Sequence, residues 1–227
     1  ERQRAIRLCA LDVPKPWEII AITFTNKAAG ELKERLSAKL GAQGNEIWAS
    51  TFHSACVRIL RRDIERIGLQ KDFTIYDTDD SKRVLKDIVK ELEYDEKAFP
   101  PKELLAIISN SKDEYETPAD FAARYKDAND WKMSRVAKVY EKYVKKLYAA
   151  NALDFDDIIF HTVKLLQKDA EVRNYYQNKF HYVLVDEYQD TNHLQYLLTS
   201  LLAGGRKNLC VVGDDDQSIY RFRGANI

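Results

Sequence analysis

Two adjacent carboxylates are the first residues whose types and spacing suggest chemistry. Asp186 and Glu187 directly follow the apolar run Tyr182–Val185, which places them at the end of a buried strand. There Asp186 can hold Mg²⁺ through a water, and Glu187, on the opposite face, can polarise an attacking water. Acidic pairs are also common in plain solvated turns. The surrounding run DEYQDTN favours the catalytic interpretation.

A second polar segment, GDDDQSIYRFRGA, spans residues 213–225. Gly213 permits a sharp turn, and the amide of Gln217 is suited to a neutral hydrogen bond with a terminal phosphate. Tyr220 and Phe222 alternate with arginines, a combination of stacking rings and phosphate partners that suits single-stranded nucleic acid. The alternatives are a turn or a cation site for the acidic triplet, and core packing for the rings.

Two further polar segments follow apolar runs. Residues 21–29 read as a strand running into a helix, where backbone amides, Thr25, Asn26 and Lys27 can hold a nucleic-acid phosphate. An ordinary capped strand–helix turn explains the same pattern equally well. The segment TFHS contains His53, and a single histidine at a strand end is more often structural than functional.

The elements that must position these residues are four short β-branched or aromatic runs separated by helical patterns. Such runs are typical of parallel strands covered on both faces, so the sequence predicts an α/β fold. The carboxyl ends of these strands would form one ligand crevice. The predicted strands are Ile19–Phe24, Ile47–Thr51, Tyr182–Val185 and Leu209–Val212.

No strand interrupts the interval from Asp77 to Asn151, which we interpret as a helical subdomain inserted at 78–150. The α/β domain would then comprise 1–77 and 151–227. Thr78 is predicted to cap the first inserted helix, and a further helix is predicted over Leu153–Leu166. An apolar stripe with helical spacing comprises Val136, Val139, Tyr140, Tyr143, Val144 and Leu147.

The last inserted helix is strongly basic. Between Trp131 and Tyr148, six basic side chains stand against the single acid Glu141. We interpret this face as a contact for duplex DNA or, equally, as a solvated lysine surface. The six are Lys132, Arg135, Lys138, Lys142, Lys145 and Lys146.

Composition excludes several classes of protein. With 45% hydrophobic residues among 227, the chain can bury a core, and 36 basic residues balance 36 acidic ones. This balance argues against a histone-like nucleic-acid binder, and no apolar run approaches a membrane span. The scattered Cys9, Cys56 and Cys210 predict neither disulfides nor zinc, so we expect reduced packing residues in a cytoplasmic protein.

Together these segments resemble the UvrD/Rep-type superfamily-one DNA helicases over nearly the whole chain. AITFTNKAA (21–29) is similar to the family's motif Ia, and TFHS (51–54) to motif Ib. LDFDDII (153–159) is similar to the segment before motif II, VDEYQDTN (185–192) to motif II, and GDDDQSIYRFRGA to motif III. The resemblance implies a RecA-like (P-loop NTPase-type) sheet with an inserted helical subdomain, and ATP-driven DNA unwinding with 3′ to 5′ polarity.

The resemblance also implies a role for each matching residue. Asp186 would bind Mg²⁺, Glu187 would be the catalytic base, and Gln217 would sense the γ-phosphate of ATP. Phe222 stands where the family more often has Trp, so base stacking there would be weaker. Single-stranded DNA and duplex junctions would be the partners of a monomeric fragment. Rings for the bases would come from Phe24, Tyr220 and Phe222. The strand would be positioned by Thr23, Asn26, His53 and Arg223.

One departure from the family is the phosphate loop, because the eight glycines allow no GxxxxGK[ST] run. We therefore expect a fragment of a helicase that is inactive by itself, since this loop and a second RecA-like domain supply most phosphate contacts. Two alternatives stay open: the motor fragment of a helicase–nuclease subunit, and a DNA-binding module that does not hydrolyse ATP. The intact Asp186-Glu187 pair and Gln217 argue against the second.

Overall fold

The computed structural model describes residues 13–126, 130–214 and 216. In chain order the strands are β1 (Ile19–Thr23), β2 (Trp48–Thr51), β3 (Thr74–Ile75), β4 (Ala152–Leu153), β5 (Tyr182–Val185) and β6 (Leu209–Val211). The helices are α1 (Asn26–Leu40), α2 (Phe52–Asp63), α3 (Thr78–Glu91), α4 (Pro101–Asp113), α5 (Pro118–Lys126), α6 (Trp131–Ala149), α7 (Phe155–Lys168), α8 (Ala170–Lys179) and α9 (His193–Ala203).

The main sheet has the order β2-β1-β5-β6, and all neighbouring strands are parallel. Ile22 of β1 pairs with Ser50 on one side and Val185 on the other, and Val185 pairs with Val211. The polar residues that follow these four strands therefore lie along one edge of the sheet, where ligands bind in open parallel sheets. The predicted α/β class is confirmed, and each predicted strand is correct to within one residue.

A second, two-stranded sheet was not predicted. β3 pairs in parallel with β4, with Thr74 opposite Ala152 and Ile75 opposite Leu153. Strands of two residues carry no readable periodicity, which is why the sequence pattern misses them. Because Leu153 belongs to β4, the helix predicted from that residue begins at Phe155 instead, and Asp154 caps it by accepting a hydrogen bond from the Asp157 amide (2.8 Å).

The N-cap predicted for α3 is wrong by one position. Asp77, rather than Thr78, is the N-cap, and its carboxylate accepts hydrogen bonds from the amides of Asp79 and Asp80, both at 2.8 Å. The Asp80 side chain accepts a hydrogen bond from the Asp77 amide in return. An Asp at this position forms a reciprocal capping box with an acidic residue three positions later, which outcompetes a Thr cap.

Two clusters of buried apolar side chains form beside the main sheet and within the helical interval. The first lies between β1, β5 and helices α2, α7 and α9, and includes Ile20, Phe52 and Val183. The second lies among α3–α6 and contains the buried members of the predicted stripe, from Val136 to Leu147. The two cores adjoin at β4, where Ala152 belongs to the second cluster and Leu153 to the first. The boundaries at 77 and 151 stay predictions.

The sequence predicts strands that are buried on both faces of the sheet, and β5 and β6 differ from this prediction. Val183 and Val185 of β5 are buried, whereas Tyr182 and Leu184 are exposed, as are all three residues of β6. Within the described part of the chain, β5 is thus covered on one face and shows the alternation of a half-buried strand.

Residues 13–126 and 130–214 contain no helix that is long and apolar enough to cross a membrane. In the same ranges no three His, Cys, Asp or Glu side chains are grouped as ligands for a metal ion. Cys56 and Cys210 are free thiols. Cys56 is buried, and that burial raises the pKa of its thiol to about 12. Cys210 is exposed, so the expected packing role applies to Cys56 and is wrong for Cys210.

Candidate functional site

The acidic pair stands at the carboxyl edge of the sheet, immediately after β5. The Asp186 amide donates to the Ile22 carbonyl (2.9 Å), which continues the pairing with β1 by one residue. Glu187 has a φ of +52°, a left-handed conformation that is uncommon for residues other than glycine and that ends the strand. Both acidic residues are exposed, and a short 3₁₀ turn, Tyr188–Asp190, follows them. An exposed carboxylate oxygen at this position fits Mg²⁺, which prefers oxygen ligands.

The carboxylate of Glu187 is held by a neighbour that sequence reasoning missed. The Gln189 side chain is 3% exposed, and its amide NH₂ donates to Glu187 Oε2 at 2.7 Å. Its Oε1 atom accepts a hydrogen bond from the Asp214 amide at 3.0 Å. Both ends of this buried amide are therefore used. The sequence feature that could have identified Gln189 is its position two residues after Glu187, the candidate catalytic base.

The backbone at position 213 lies so close to Gln189 that only glycine fits there. The Gly213 backbone is not left-handed, but a Cβ atom there would stand 2.7 Å from Gln189 Oε1 and 3.2 Å from the Gln189 amide nitrogen. The Tyr188 amide also donates to the Val212 carbonyl (2.9 Å). The chain after β6 thus rests directly on the turn that follows the acidic pair, and glycine is the residue that permits this contact.

The segment after β1 divides into buried and exposed positions. Thr23 is 1% exposed, and its Oγ1 atom is enclosed without a hydrogen-bond partner among the described residues. Phe24 is half-buried and contacts Phe52 edge-on, with ring centroids 5.3 Å apart. Thr25 caps α1 by accepting a hydrogen bond from the Ala28 amide (3.1 Å), and Asn26, the first residue of that helix, is exposed. Phe24 and Asn26 are therefore accessible, whereas the Thr23 hydroxyl is not.

His53 lies in the first turn of α2 and stacks on Phe155. The two ring centroids are 3.6 Å apart and the ring planes are inclined by 21°. Burial lowers the pKa of His53 to about 4, so the imidazole is neutral at pH 7 and would contact a ligand by hydrogen bonding or stacking. Phe155 is 58% exposed and belongs to the LDFDDII run, but it was not predicted to be a site residue.

These side chains line a cleft of about 510 Å³ at the carboxyl edge of the sheet. Phe24, Thr25, His53 and Phe155 line one part of it, and the end of the DEYQDTN run lines another. The remaining lining comes from α4 and from the first turns of α7 and α9. The cleft therefore brings together the ends of β1 and β2 with the loop that begins at Asp186, while Thr23 and Asn26 lie outside its lining. The lining residues from the DEYQDTN run are Asp190 and Asn192.

One contact joins the helical interval to this loop. Asn192, which caps α9, donates from its side chain to Asp113 Oδ1 at 2.8 Å, at the end of α4. Burial, followed by the negative charges of Asp156 and Glu114, raises the pKa of Asp113 to about 7. A carboxyl group at the end of α4 thus contacts the segment that carries the acidic pair.

A buried cation joins α4 to the first turn of α7. Lys112 Nζ lies 2.6 Å from Asp154 Oδ2 and 2.6 Å from Asp157 Oδ1, and the Tyr143 hydroxyl donates to Asp154 (2.9 Å). Burial lowers the pKa of Lys112, but the charges of Asp154 and Asp157 outweigh it and keep that pKa well above its ordinary value. Lys112 is therefore a fixed positive charge between α4 and α7.

The predicted basic face of α6 is largely paired with acids. Lys142 and Lys146 both bind Glu91 at the end of α3, and Lys145 binds Glu141 at 2.6 Å. The count of charges along α6 alone omitted Glu91 because it lies more than 50 residues away in sequence. These exposed ion pairs reduce the field that a phosphate backbone would meet, so the solvated-surface interpretation gains support.

Four predicted site residues lie outside the described residues. They are Gln217, Tyr220, Phe222 and Arg223.

The parallel sheet, the acidic pair at the end of a central strand and the aromatic cleft beside it define a RecA-like α/β domain. The family model described as the UvrD/REP helicase N-terminal domain matches residues 2–227, and the chain belongs to this family.

Curated relatives agree with this assignment. The chain is 54% identical over 212 residues to the ATP-dependent DNA helicase PcrA of Staphylococcus aureus strain Mu50. It is 53% identical over 212 residues to the protein of the same name from Staphylococcus epidermidis strain ATCC 35984. Each match covers 93% of this chain and 29% of the relative, so the chain spans less than a third of the length of these relatives.

Proposed function

We propose that this chain is the first RecA-like domain of an ATP-dependent DNA helicase that moves 3′ to 5′ along single-stranded DNA and unwinds duplexes. The observation that carries the proposal is the loop from Asp186 to Asn192. Its first two residues present exposed carboxylates at the carboxyl edge of the sheet, and its last residues line the aromatic cleft. A site for nucleotide chemistry and a site for nucleic acid are thus connected by seven residues of continuous chain.

For ATP hydrolysis, Asp186 would hold Mg²⁺ and Glu187 would orient and deprotonate the attacking water. Bound Mg²⁺ supplies charge that neutralises the phosphate oxygens. The left-handed backbone of Glu187 ends the strand, and the hydrogen bond from Gln189 to Oε2 leaves the second carboxylate oxygen, Oε1, for a water. We assign contact with the γ-phosphate to Gln217 on the family resemblance.

For DNA binding, the cleft offers exposed aromatic rings on which bases could stack. Phe24 and the stacked pair His53–Phe155 present aromatic surfaces, and stacking on such surfaces tolerates any base. The neutral imidazole of His53 adds a hydrogen-bonding group without a charge. We assign strand positioning to Thr23, Asn26 and Arg223, and further stacking to Tyr220 and Phe222, again on the resemblance. The buried Thr23 hydroxyl would have to become accessible for a direct contact.

We propose the domain boundaries from the sequence: a motor domain of residues 1–77 and 151–227 with the helical insertion at 78–150. The protein would act on DNA in repair or replication, and therefore in the cytoplasm, with ATP and Mg²⁺ as cofactors. A helicase–nuclease subunit would share this motor and is the second candidate. A module that only binds DNA is disfavoured, because binding does not need the Asp186-Glu187 pair.

Strand displacement on tailed duplexes tests the proposal. The natural protein at its full length, with ATP and Mg²⁺, should unwind a duplex with a 3′ single-stranded tail and leave a 5′-tailed duplex paired. Glu187→Gln should abolish unwinding. Glu93→Gln is a matched control, since Glu93 is also exposed with a φ of +55° but lies beyond α3 in the insertion. Unwinding of only the 5′-tailed duplex, or full activity of Glu187→Gln, would contradict the proposal.

A further inference from the structure

Gln189 connects the proposed catalytic base to a different segment of the chain. Its buried side chain donates to Glu187 Oε2 at 2.7 Å and accepts from the Asp214 amide at 3.0 Å. Asp214 is separated from it by 25 residues in sequence and follows β6, the neighbouring strand. The link therefore crosses between two strand ends of the sheet.

The hydrogen bond from Gln189 restricts the conformation of an exposed side chain, that of Glu187. Glu187 is exposed, and an exposed glutamate side chain otherwise samples several rotamers. The Gln189 amide is itself fixed by burial and by Asp214, so it holds Glu187 Oε2 at one point and leaves Oε1 in a defined direction. General bases need this precision, because a misplacement of about 1 Å can lower a rate on the order of 100-fold.

The contact with residues 213–214 makes this orientation sensitive to the segment that follows β6. Gly213 approaches Gln189 so closely that an added Cβ would be 2.7 Å from its Oε1 atom. A shift of Gly213 and Asp214 must either carry the Gln189 amide with it or leave a buried amide oxygen without its donor, which is unfavourable. Residues 213–214 begin the run that contains Gln217 and the aromatic residues assigned to DNA.

We propose that Gln189 is a positioning residue that orients Glu187 and makes this orientation depend on the segment at 213–214. DNA contacts made further along that segment would then reach the catalytic base through a side-chain amide. The inference rests on the proposed role of Glu187 as the base. Gln189 is 3% exposed and does not line the cleft, so it would act through Glu187 and not by contact with nucleotide or DNA.

Two substitutions separate the two hydrogen bonds. Gln189→Met keeps the length of the side chain and removes both bonds. Gln189→Glu keeps an acceptor for the Asp214 amide but replaces the donor to Glu187 with a second carboxylate. In the full-length natural protein, both variants should lower kcat of ATP hydrolysis stimulated by single-stranded DNA about 10–100-fold. KM for ATP and Kd for an oligothymidylate should each stay within about 3-fold, because no ligand contact is removed.

Gln177→Met is the matched control. Gln177 is a partly buried glutamine whose amide donates to the Leu201 carbonyl at 2.8 Å, away from the acidic loop. This variant should leave kcat within about 2-fold of the original value, in keeping with an ordinary local hydrogen bond.

The double variant Glu187→Gln/Gln189→Met separates this inference from the proposed function. Once the base is absent, Gln189→Met should cause no further loss of kcat, since groups that act as a unit are non-additive. Full hydrolysis by Glu187→Gln alone would refute the proposed function. If Glu187→Gln is inactive while Gln189→Met retains full kcat, the proposed function stands and the inference is overturned. The inference is equally overturned if the Gln189 variants lose DNA affinity and melting temperature together, as a merely structural role requires.

Discussion

Replacing Lys112 with methionine should destabilise the protein more than any surface change. The Lys112 ammonium lies 2.6 Å from carboxylates of both Asp154 and Asp157, and all three side chains are at least 92% buried. Lys112→Met fills a similar volume but removes the only cation in contact with the two acids within the described residues. The two buried carboxylates then repel each other, and in the part of the chain that the structure describes only hydrogen bonds from the Tyr143 hydroxyl and from two backbone amides offset that repulsion.

The magnitude follows from this geometry. Breaking a buried ion pair by removing one partner commonly costs about 3–5 kcal/mol, because the remaining charge stays desolvated. For a domain of this size that loss corresponds to a fall in Tm of about 6–20 °C. Because an unpaired buried carboxylate can be neutralised by a proton, Lys112→Met should recover stability as the pH falls. Adding Asp157→Asn to Lys112→Met should restore part of the loss at neutral pH.

Urea unfolding followed by circular dichroism measures both effects. Lys138→Met is the matched control, because Lys138 is an exposed lysine on α6, and its free energy of unfolding should change by no more than about 0.5 kcal/mol. A loss below about 1 kcal/mol for Lys112→Met, or a loss that is unchanged by pH, would refute the argument that Lys112 compensates buried charge.

Three further changes have expected outcomes. The pKa of the Asp113 carboxyl is raised from its ordinary value of 3.8 to about 7. The protonated carboxyl therefore contributes stability that is fully present below pH 3.8 and is lost as the pH rises through 7. Asp113→Asn, which can still accept from Asn192, should therefore stabilise the protein against urea at about pH 8 and not at about pH 4. Gly213→Ala should cost about 1–3 kcal/mol in thermal unfolding, because its Cβ would stand 2.7 Å from Gln189 Oε1. Phe155→Ala should weaken binding of fluorescent oligothymidylate by about 1–3 kcal/mol with an unchanged KM for ATP, and unchanged DNA affinity would contradict a stacking role.

The α/β class and the strands of the main sheet are predictable from sequence because buried parallel strands are short, apolar and followed by polar residues. The same reasoning places Asp186, Phe24 and His53 at one edge of the sheet, since parallel strands share their carboxyl ends. β3 and β4 escape prediction because two residues carry no periodicity.

Contacts between distant parts of the chain are the other features that local patterns do not contain. Lys112 reads as an ordinary helical lysine until folding places it between Asp154 and Asp157, 42 and 45 residues later. Glu91 likewise neutralises lysines more than 50 residues away, which a count along one helix cannot include. The pairing of Gln189 with Asp214 arises only because β5 and β6 are neighbours.

ATP hydrolysis by the full-length natural protein, measured with and without single-stranded DNA, is the decisive test of the roles assigned to Asp186 and Glu187. We expect Mg²⁺-dependent hydrolysis that DNA stimulates, a loss on the order of 100-fold or more in Glu187→Gln, and full activity in Glu93→Gln. DNA affinity should be the same in all three proteins, because Glu187 does not contact the strand. Binding of DNA without any stimulated hydrolysis, or hydrolysis that survives Glu187→Gln, would contradict the assignment of the acidic pair.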